Sequence, residues 1–100
     1  MTEARRFAIK TIHARVGRYL KQQEKRVQHK FWEALEHICD GPFPADDPAH
    51  IAHLKGPFHC SYRYALVKGR RGLRIKYDVD VERGEIAVYD LGPRGDVYKE

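Results

Sequence analysis

The stretch Leu73-Arg74-Ile75-Lys76-Tyr77-Asp78-Val79-Asp80 alternates apolar and charged residues over eight positions. A period of two is typical of a β-strand that buries one face and exposes the other to water. Turn residues bound the stretch on both sides, at residues 69–72 and 82–84. The pattern therefore predicts a strand with one row of apolar side chains against a core and one charged row, including Arg74 and Lys76, against water.

Further strands are predicted on both sides of this stretch. Residues 62–68 are rich in strand-forming types, and residues 86–91 are apolar on both faces, which favours a central strand. Val97-Tyr98 predicts a last short strand, and residues 7–11 predict either a short edge strand or an early helix start. Residues 41–53 hold three prolines and two acids and are predicted to form a loop.

Two amphipathic helices are predicted in the first forty residues. Their apolar stripes are Ile12, Val16, Tyr19 and Leu20, then Val27, Phe31, Leu35 and Ile38. Residues 22–24 separate them, and the second stripe stops at Asp40-Gly41-Pro42, where Gly41 is expected to take a left-handed cap. We therefore predict a single α+β domain over residues 1–100, with an N-terminal helical hairpin packed on one face of a small antiparallel sheet.

The positive charge of the chain is concentrated in one short segment. The net charge is +5, and residues 62–77 contain six basic residues and no acidic one. The six are Arg63, Lys68, Arg70, Arg71, Arg74 and Lys76. A focused positive potential of this kind favours a polyanionic partner such as a nucleic acid.

Other classes of protein fit the sequence poorly. Two cysteines, Cys39 and Cys60, are too few for a disulfide framework, and no apolar run approaches the roughly 18 residues of a membrane span. We therefore expect a cytoplasmic protein with reduced thiols. The pair His50 and His53 has an irregular spacing to His59 and Cys60, so a zinc site is not expected.

Several short motifs, taken in order, resemble the RelE/ParE superfamily of toxins from type II toxin–antitoxin systems. They are Leu54-Lys55-Gly56, Tyr62-Arg63, Arg74-Ile75-Lys76-Tyr77, Gly92-Pro93-Arg94 and Tyr98. The resemblance covers nearly the whole chain and implies two helices on an antiparallel sheet and an antitoxin protein that wraps the toxin and blocks its site. It implies one of two targets: RelE-like members cut messenger RNA in the ribosomal A site, and ParE-like members inhibit DNA gyrase without catalysis.

The resemblance also implies which residues form the site. The cutting branch has basic residues and a tyrosine at the positions matching Arg63, Arg74, Arg94 and Tyr98, which are therefore the candidate catalytic residues. This set favours a ribosome-dependent endoribonuclease over two alternatives, a ParE-like gyrase inhibitor and a catalytically decayed member that only binds its antitoxin. The best-studied members have a second lysine where this chain has Ala65, so the resemblance does not identify the general base.

The chemistry assigned to these residues is RNA cleavage by the RNA's own 2′-hydroxyl. This reaction needs a base for the 2′ proton, cations that stabilise the charge on the phosphorane, and an acid that protonates the leaving 5′-oxygen. Arg74 and Arg63 are expected to clamp the phosphate, and Arg94 to stabilise charge on the leaving oxygen. Tyr98 is a candidate base only inside an arginine cluster, because a phenol ordinarily has a pKa near 10. Because arginines can supply the positive charge, we expect no metal and no cofactor.

Further cations and aromatic residues are expected to assist. The side chains expected to hold the RNA backbone without sequence preference are Lys68, Arg70, Arg71 and Lys76. Tyr62 and Tyr64 are candidates for base stacking, whereas Tyr77 is expected to pack in the core. Trp32 is predicted either to contact a partner or to pack under the loop at 41–53.

Overall fold

A computed structural model describes residues 7–54, 62–67 and 72–93 of the chain. Its helices and strands are β1 Ala8–Ile12, α1 Ala14–Lys21, α2 Lys25–Asp40, β2 Ile51–His53, β3 Tyr62–Val67, β4 Leu73–Asp80 and β5 Glu85–Pro93. The strands form one sheet in the order β1-β5-β4-β3-β2, and both helices pack on it. The predicted α+β architecture, with a helical hairpin against a small sheet, is confirmed.

The sheet is mixed, whereas the sequence predicted a wholly antiparallel one. Strand β1 pairs in parallel with β5, and the other three strand pairs are antiparallel. A parallel pair requires a long crossover, which the two helices and the three strands between β1 and β5 supply. The edge-strand interpretation of residues 7–11 is confirmed, and so is the interior position of β5, which pairs with both β1 and β4.

The loop predicted over residues 41–53 ends earlier than expected. Residues Ile51–His53 form β2, which pairs with β3 at the far edge of the sheet, with Ile51 opposite Tyr64 and Ala52 opposite Arg63. Three residues are too few to show a period of two, so the sequence gives no strand signal there. This short strand fixes the position of the loop that precedes it.

The helices follow the predicted stripes with two differences. Ile12 belongs to β1, and α1 begins after His13, whose Nδ1 accepts a hydrogen bond from the Arg15 N–H at 3.2 Å. Helix α2 ends at Asp40, but Gly41 has φ −163° and is extended, so the predicted left-handed cap is wrong. Gly41 is needed for another reason: a Cβ there would lie 2.8 Å from the Cβ of Asp46.

The core lies between the helices and one face of the sheet. Its helical part includes the wholly buried residues Val16, Phe31 and Ile38, and its sheet part includes Ile75, Tyr77, Ile86 and Val88. The core role predicted for Tyr77 is therefore confirmed.

Two neighbouring tyrosines belong to the same face as Tyr77. Tyr64 is also buried, so the prediction that it stacks on RNA bases is wrong. Tyr62 is half-buried and packs against the rings of Phe43 and Tyr77, with centroid distances of 5.6 and 5.8 Å. Strand alternation explains this, since Tyr62 and Tyr64 lie opposite Tyr77 and Ile75, which face the core.

A buried hydrogen bond joins β4 to the segment that follows α2. The Tyr77 hydroxyl donates to the Pro42 carbonyl oxygen at 2.7 Å. Burial raises the pKa of Tyr77 well above its usual value of 10.0, so this hydroxyl stays protonated and keeps donating. The bond fixes the start of the loop that leads to β2.

No helix among the described residues is long and apolar enough to cross a membrane.

Candidate functional site

The face of the sheet turned away from the helices, here called the open face, carries the predicted phosphate-binding side chains. Arg63 and Ala65 of β3 alternate with the buried Tyr64, and Arg74 of β4 precedes the buried Ile75. Because successive side chains of a strand point to opposite faces, Arg63, Ala65 and Arg74 lie on the open face. The orientation predicted for Arg74 from the alternation of β4 agrees with this geometry.

The register brings Arg63 and Arg74 close together. Ala65 lies directly opposite Arg74, and Arg63 lies opposite Lys76. The two arginines are therefore diagonal neighbours on adjacent strands, a relation in which backbones are about 7–8 Å apart and long side chains still meet. Both are half-buried. Arginine side chains at diagonal positions are long enough to reach one phosphate between them.

An open cavity of about 310 Å³ contains both arginines. Its lining residues are Pro48, Ala49, His50, Ile51, Ala52, Arg63, Ala65 and Arg74. The small side chains of Ala52 and Ala65 leave space between the cations, and the loop before β2 forms the opposite wall. A planar guanidinium fork fits phosphate oxygens with two parallel hydrogen bonds and stays charged at all physiological pH values. The cavity is thus a suitable binding site for a phosphodiester.

One residue of this cavity, His50, was not among the predicted site residues. Its Nδ1 lies 3.1 Å from both carboxylate oxygens of Asp47, and its ring stacks on Tyr64 with a centroid distance of 5.1 Å and an angle of 9°. Sequence reasoning weighed His50 only as a metal ligand beside His53. The available signal was its i,i+3 spacing from Asp47, but the neighbouring arginines become visible only in the folded sheet.

A metal centre finds no support among residues 7–54, 62–67 and 72–93, where no group of three or more His, Cys, Asp and Glu side chains could hold an ion. His53, the second histidine of the pair, packs against the Tyr62 ring at a centroid distance of 5.1 Å. Cys39 is a free, buried thiol in α2. His59 and Cys60 lie outside the described residues.

Lys76 occupies a different environment from the two arginines. It is on the open face, opposite Asp90 of β5, yet its exposed fraction is 4% and that of Asp90 is 8%. The predicted contact of Lys76 with the RNA backbone stays a prediction.

Carboxylates gather on the opposite half of the open face. A second cavity, of about 220 Å³, is lined by residues that include Asp78, Asp80 and Glu85. Lys10 forms an ion pair with Glu85 at 3.5 Å. The described part of the open face is therefore divided, with the half-buried Arg63 and Arg74 on β3 and β4 and the acids near the β4–β5 turn. A polyanion would be attracted to the arginine half.

Five of the predicted site residues lie outside the described residues. They are Lys68, Arg70, Arg71, Arg94 and Tyr98. Their roles stay predictions from the sequence.

Trp32 of α2 has 52% of its surface exposed and packs edge-on against Phe31 at a centroid distance of 4.9 Å. Trp32 is therefore exposed, as a contact with a partner would require. A contact partner for it stays a prediction.

Comparison with known proteins identifies the architecture. No family model and no curated protein sequence matches the chain. A solved structure does: the RelE–RelB complex from Pyrococcus horikoshii OT3 superimposes with a TM-score of 0.69 at 24% identity, over 91% of this chain and 98% of that chain. The chain has the RelE fold.

Two further solved structures with the RelE fold are similar. The intact E. coli RelBE toxin–antitoxin complex gives a TM-score of 0.61 at 20% identity, over 86% of this chain and 96% of that chain. The RelBE2 toxin–antitoxin complex from Mycobacterium tuberculosis gives 0.54 at 15% identity, over 88% and 98%. The fold implied by the sequence resemblance is confirmed.

Proposed function

We propose that this chain is the toxin of a type II toxin–antitoxin system and a ribosome-dependent endoribonuclease that cleaves messenger RNA. The observation that supports this most directly is the placement of Arg63 and Arg74 around one cavity on the open face of a RelE fold. Two guanidinium groups on diagonal strand positions suit a phosphodiester that gains negative charge in its transition state.

The proposed reaction uses the RNA's own 2′-hydroxyl as nucleophile. A base takes the 2′ proton, the 2′-oxygen bonds to phosphorus, the bond from phosphorus to the 5′-oxygen breaks, and that oxygen receives a proton. The products are a 2′,3′-cyclic phosphate and a 5′-hydroxyl. Arg63 and Arg74 stabilise the additional charge on the phosphorane, and Arg94 and Tyr98 keep the roles that the sequence resemblance implies for them.

We expect cleavage to depend on the ribosome because the cavity contains few groups that could take part in the reaction. Among the described residues the cavity offers the two arginines as charged groups, so orientation of the RNA by the ribosome would supply much of the rate. We expect the free protein to cleave protein-free RNA very slowly, even if Arg63 and Arg74 attract it. Fast cleavage of protein-free RNA would contradict this part of the proposal.

A cognate antitoxin is the second proposed partner. The three similar structures are complexes of a RelE toxin with its antitoxin, and the fold match covers nearly all of each toxin chain. We propose that this chain forms the same kind of hetero-oligomer. Its antitoxin then blocks access to the cavity lined by Arg63 and Arg74, called the arginine cavity below. Mixing the purified antitoxin with the chain should then abolish cleavage at stoichiometric amounts.

The test is primer extension on a defined message in a purified translation system. Wild type should create new 5′ ends inside A-site codons, and Arg74→Ala should lower their yield by about 10²–10³-fold, the usual effect of losing one transition-state donor. Arg26→Ala is the matched control, because it removes the same charge from an 80% exposed side chain on α2. Arg74→Lys keeps the charge but loses the fork, and we expect an intermediate rate.

Two outcomes would contradict the proposal. An Arg74→Ala variant that cleaves like wild type removes Arg74 from the site. Absence of cleavage by wild type, with translation unimpaired, rejects the endoribonuclease and leaves gyrase as the target to examine in a supercoiling assay.

A further inference from the structure

We propose that the helical hairpin of α1 and α2 carries a second RNA-binding surface, which holds unpaired segments of ribosomal RNA while messenger RNA lies in the arginine cavity. This surface, called the hairpin surface below, consists of Arg18 and Lys21 of α1 and Lys25 and Trp32 of α2. The inference rests on the proposed ribosome-dependent function and names the contact by which the ribosome would hold the toxin. Three observations carry it: the charge of the hairpin, a helix end that is unfavourable for stability, and the place of Trp32 among the cations.

A large positive charge is concentrated on the hairpin. Residues 13–30 contain six lysines and arginines and one glutamate, a net charge of +5. In α1, Arg15, Arg18 and Lys21 follow one another at three-residue spacing and are all exposed, so they lie along the outer side of the helix. The helices pack on the face of the sheet opposite the open face, so this positive surface and the arginine cavity lie on different sides of the domain.

The cations of the hairpin surface have few partners in the described part of the chain. The one glutamate of the segment, Glu24, lies 3.7 Å from Arg26 and offsets that charge alone. Among the described residues, no carboxylate forms an ion pair with Arg18, Lys21 or Lys25. Exposed cations that lie close together repel one another, and a bound polyanion replaces this repulsion by attraction.

The first turn of α2 is unfavourable for the stability of the helix. The positive end of a helix dipole favours acids there, but the turn begins with Lys25 and Arg26 and contains no acid. The N-cap residue, Glu24, makes no capping hydrogen bond with its side chain. Residues that break a local rule of stability are expected at functional sites, so binding explains these cations better than folding does.

A hydrogen-bonded glutamine places Trp32 beside the cations. The Gln28 side chain of α2 donates to the Leu20 carbonyl oxygen at 3.1 Å, so Gln28 points to the end of α1. Lys25 lies three residues before Gln28 and Trp32 four residues after it, so both share its side of α2. Lys25 and Trp32 therefore border the end of α1, where Lys21 is the last residue of the helix.

The exposed tryptophan favours RNA over other polyanions. Trp32 has 52% of its surface exposed, which leaves its indole ring accessible to a planar partner. An unpaired base can stack on such a ring, whereas the bases of a duplex stack on one another and carboxylates offer no ring to it. The neighbouring cations attract the phosphates on either side of that base. RNA with unpaired bases therefore uses both parts of the surface, and in the proposed function the ribosome supplies such RNA.

Trp32 is the one tryptophan of the chain, so its fluorescence reports on this surface alone. Titration with a short oligoadenylate should quench the emission as a base stacks on the ring. Arg74→Ala should keep the quenching and its midpoint, because Arg74 lies on the open face. An emission that oligoadenylate leaves unchanged would overturn the inference.

The cations are tested with two double variants that each remove two positive charges. Arg18→Ala/Lys21→Ala should weaken oligoadenylate binding and lower the slope of log K against log salt by about 1.4, at about 0.7 for each phosphate contact of a single strand. Alanine is a good helix former, so α1 should stay folded. Lys10→Ala/Arg83→Ala is the matched control, because its side chains are exposed and pair with Glu85 and Asp80, and it should change neither affinity nor slope. Equal losses in both variants would remove the cations from the assigned surface.

The ribosome tests the source of the RNA. Trp32→Leu should need about 5–150-fold more toxin than wild type for half of the maximal single-turnover rate on a ribosome-bound message, the range for losing one stacked base, while the maximal rate is unchanged. Trp32→Phe keeps an aromatic ring and should lose less. Arg74→Ala should show the opposite pattern, a lower maximal rate, because it acts in the chemical step.

The outcomes separate this inference from the proposed function. If wild type does not cleave, the proposed function fails, and binding to vacant ribosomes still decides the inference, since Trp32→Leu must bind them more weakly than wild type. If Trp32→Leu loses oligoadenylate but binds ribosomes like wild type, the surface takes another RNA and the inference is overturned. If the variants lose only the cognate antitoxin, the surface is a protein contact, and the inference is overturned as well.

Discussion

Replacing Tyr77 by phenylalanine tests the link between the core and the loop that carries Asp47 and His50. The substitution keeps the ring, which is wholly buried, and removes only the hydroxyl that donates to the Pro42 carbonyl oxygen at 2.7 Å. Pro42 is itself fully buried, so its carbonyl oxygen has no ready replacement from water. We therefore expect a loss of stability out of proportion to the single atom removed.

The size of the effect follows from the burial of both partners. Leaving a buried acceptor unsatisfied costs about 1–3 kcal/mol. For a domain of this length, each 1 kcal/mol lowers Tm by about 4–8 °C. Tyr77→Phe should therefore unfold at least several degrees below wild type at pH 7.

The same substitution changes the response to alkali. The pKa of Tyr77 is raised in the folded state because burial penalises the phenolate, and it is near 10.0 when the chain unfolds. Above about pH 10 the unfolded state therefore binds fewer protons than the folded one, so wild-type stability falls with rising pH, by up to about 1.4 kcal/mol per pH unit from this group. Tyr77→Phe lacks this contribution, so its deficit relative to wild type should shrink between pH 9 and 11.

Urea denaturation followed by circular dichroism at pH 7, 9, 10 and 11 measures both effects. Tyr62→Phe is the matched control, since its half-buried ring packs beside Tyr77 and its hydroxyl has no hydrogen bond to the described residues. We expect the control to stay within about 0.5 kcal/mol of wild type. Equal losses for the two variants at pH 7 would refute the role of the hydrogen bond, and a deficit independent of pH would refute the buried phenol.

Three further substitutions test the packing. Gly17→Ala in α1 should stabilise the fold by about 0.5–1 kcal/mol, because a Cβ there meets nothing within 4 Å and alanine restricts the unfolded chain; a loss in urea denaturation would contradict this. Gly41→Ala should instead cost about 1–3 kcal/mol, since its Cβ would lie 2.8 Å from that of Asp46, and an unchanged midpoint would refute the close approach. Ile38→Ala should cost about 2–5 kcal/mol by calorimetry, because its side chain is wholly buried, and a cost below 1 kcal/mol would show that the core is looser than described.

The sequence predicted those parts of the fold in which a periodic pattern is long enough to read. Strand β4 shows a period of two over eight residues, and α2, a helix of sixteen residues, has apolar residues at helical spacing from Val27 to Ile38. Those patterns gave the layers, the buried side of the sheet and the orientation of Arg74. The reversal at Gly84 was also predictable, and this glycine has φ 68°, a value that favours glycine over other residues.

Short or distant pairings were not predictable from local patterns. Strand β2 has three residues, and β1 pairs with β5 across more than seventy positions of sequence. A local pattern carries no information on which edge a strand joins or whether the pair is parallel. The Gly41 prediction failed for a related reason, because the constraint on it comes from Asp46 in a loop with no periodicity.

For the same reason, the sequence did not show that His50 is one of the residues that line the arginine cavity. Arg74 was found because it stands on a strand with readable alternation, and Arg63 was found through the family resemblance. His50 stands in a turn, and its environment is set by three contacts that periodicity does not encode: Asp47, the ring of Tyr64 and the N–H of Ala65. The His50 carbonyl oxygen accepts from Ala65, which lies opposite Arg74, whereas the His50 imidazole stacks on Tyr64, a side chain that faces the helices.

Stability and the proposed chemistry use opposite faces of the same strands. The helix-facing row of β3 and β4 is buried and holds the fold together, whereas Arg63 and Arg74 on the open face are half-buried and pack against small residues. Loss of an arginine there removes little apolar contact, so an inactive Arg74→Ala protein should still be folded, and its inactivity would report on chemistry. The loop before β2 is different because it serves both faces: Pro42 is fixed from the core by Tyr77, and His50 lies at the arginine cavity. Substitutions in this loop therefore need a stability measurement beside every activity measurement, whereas substitutions of the strand arginines can be interpreted from activity and a single check of folding.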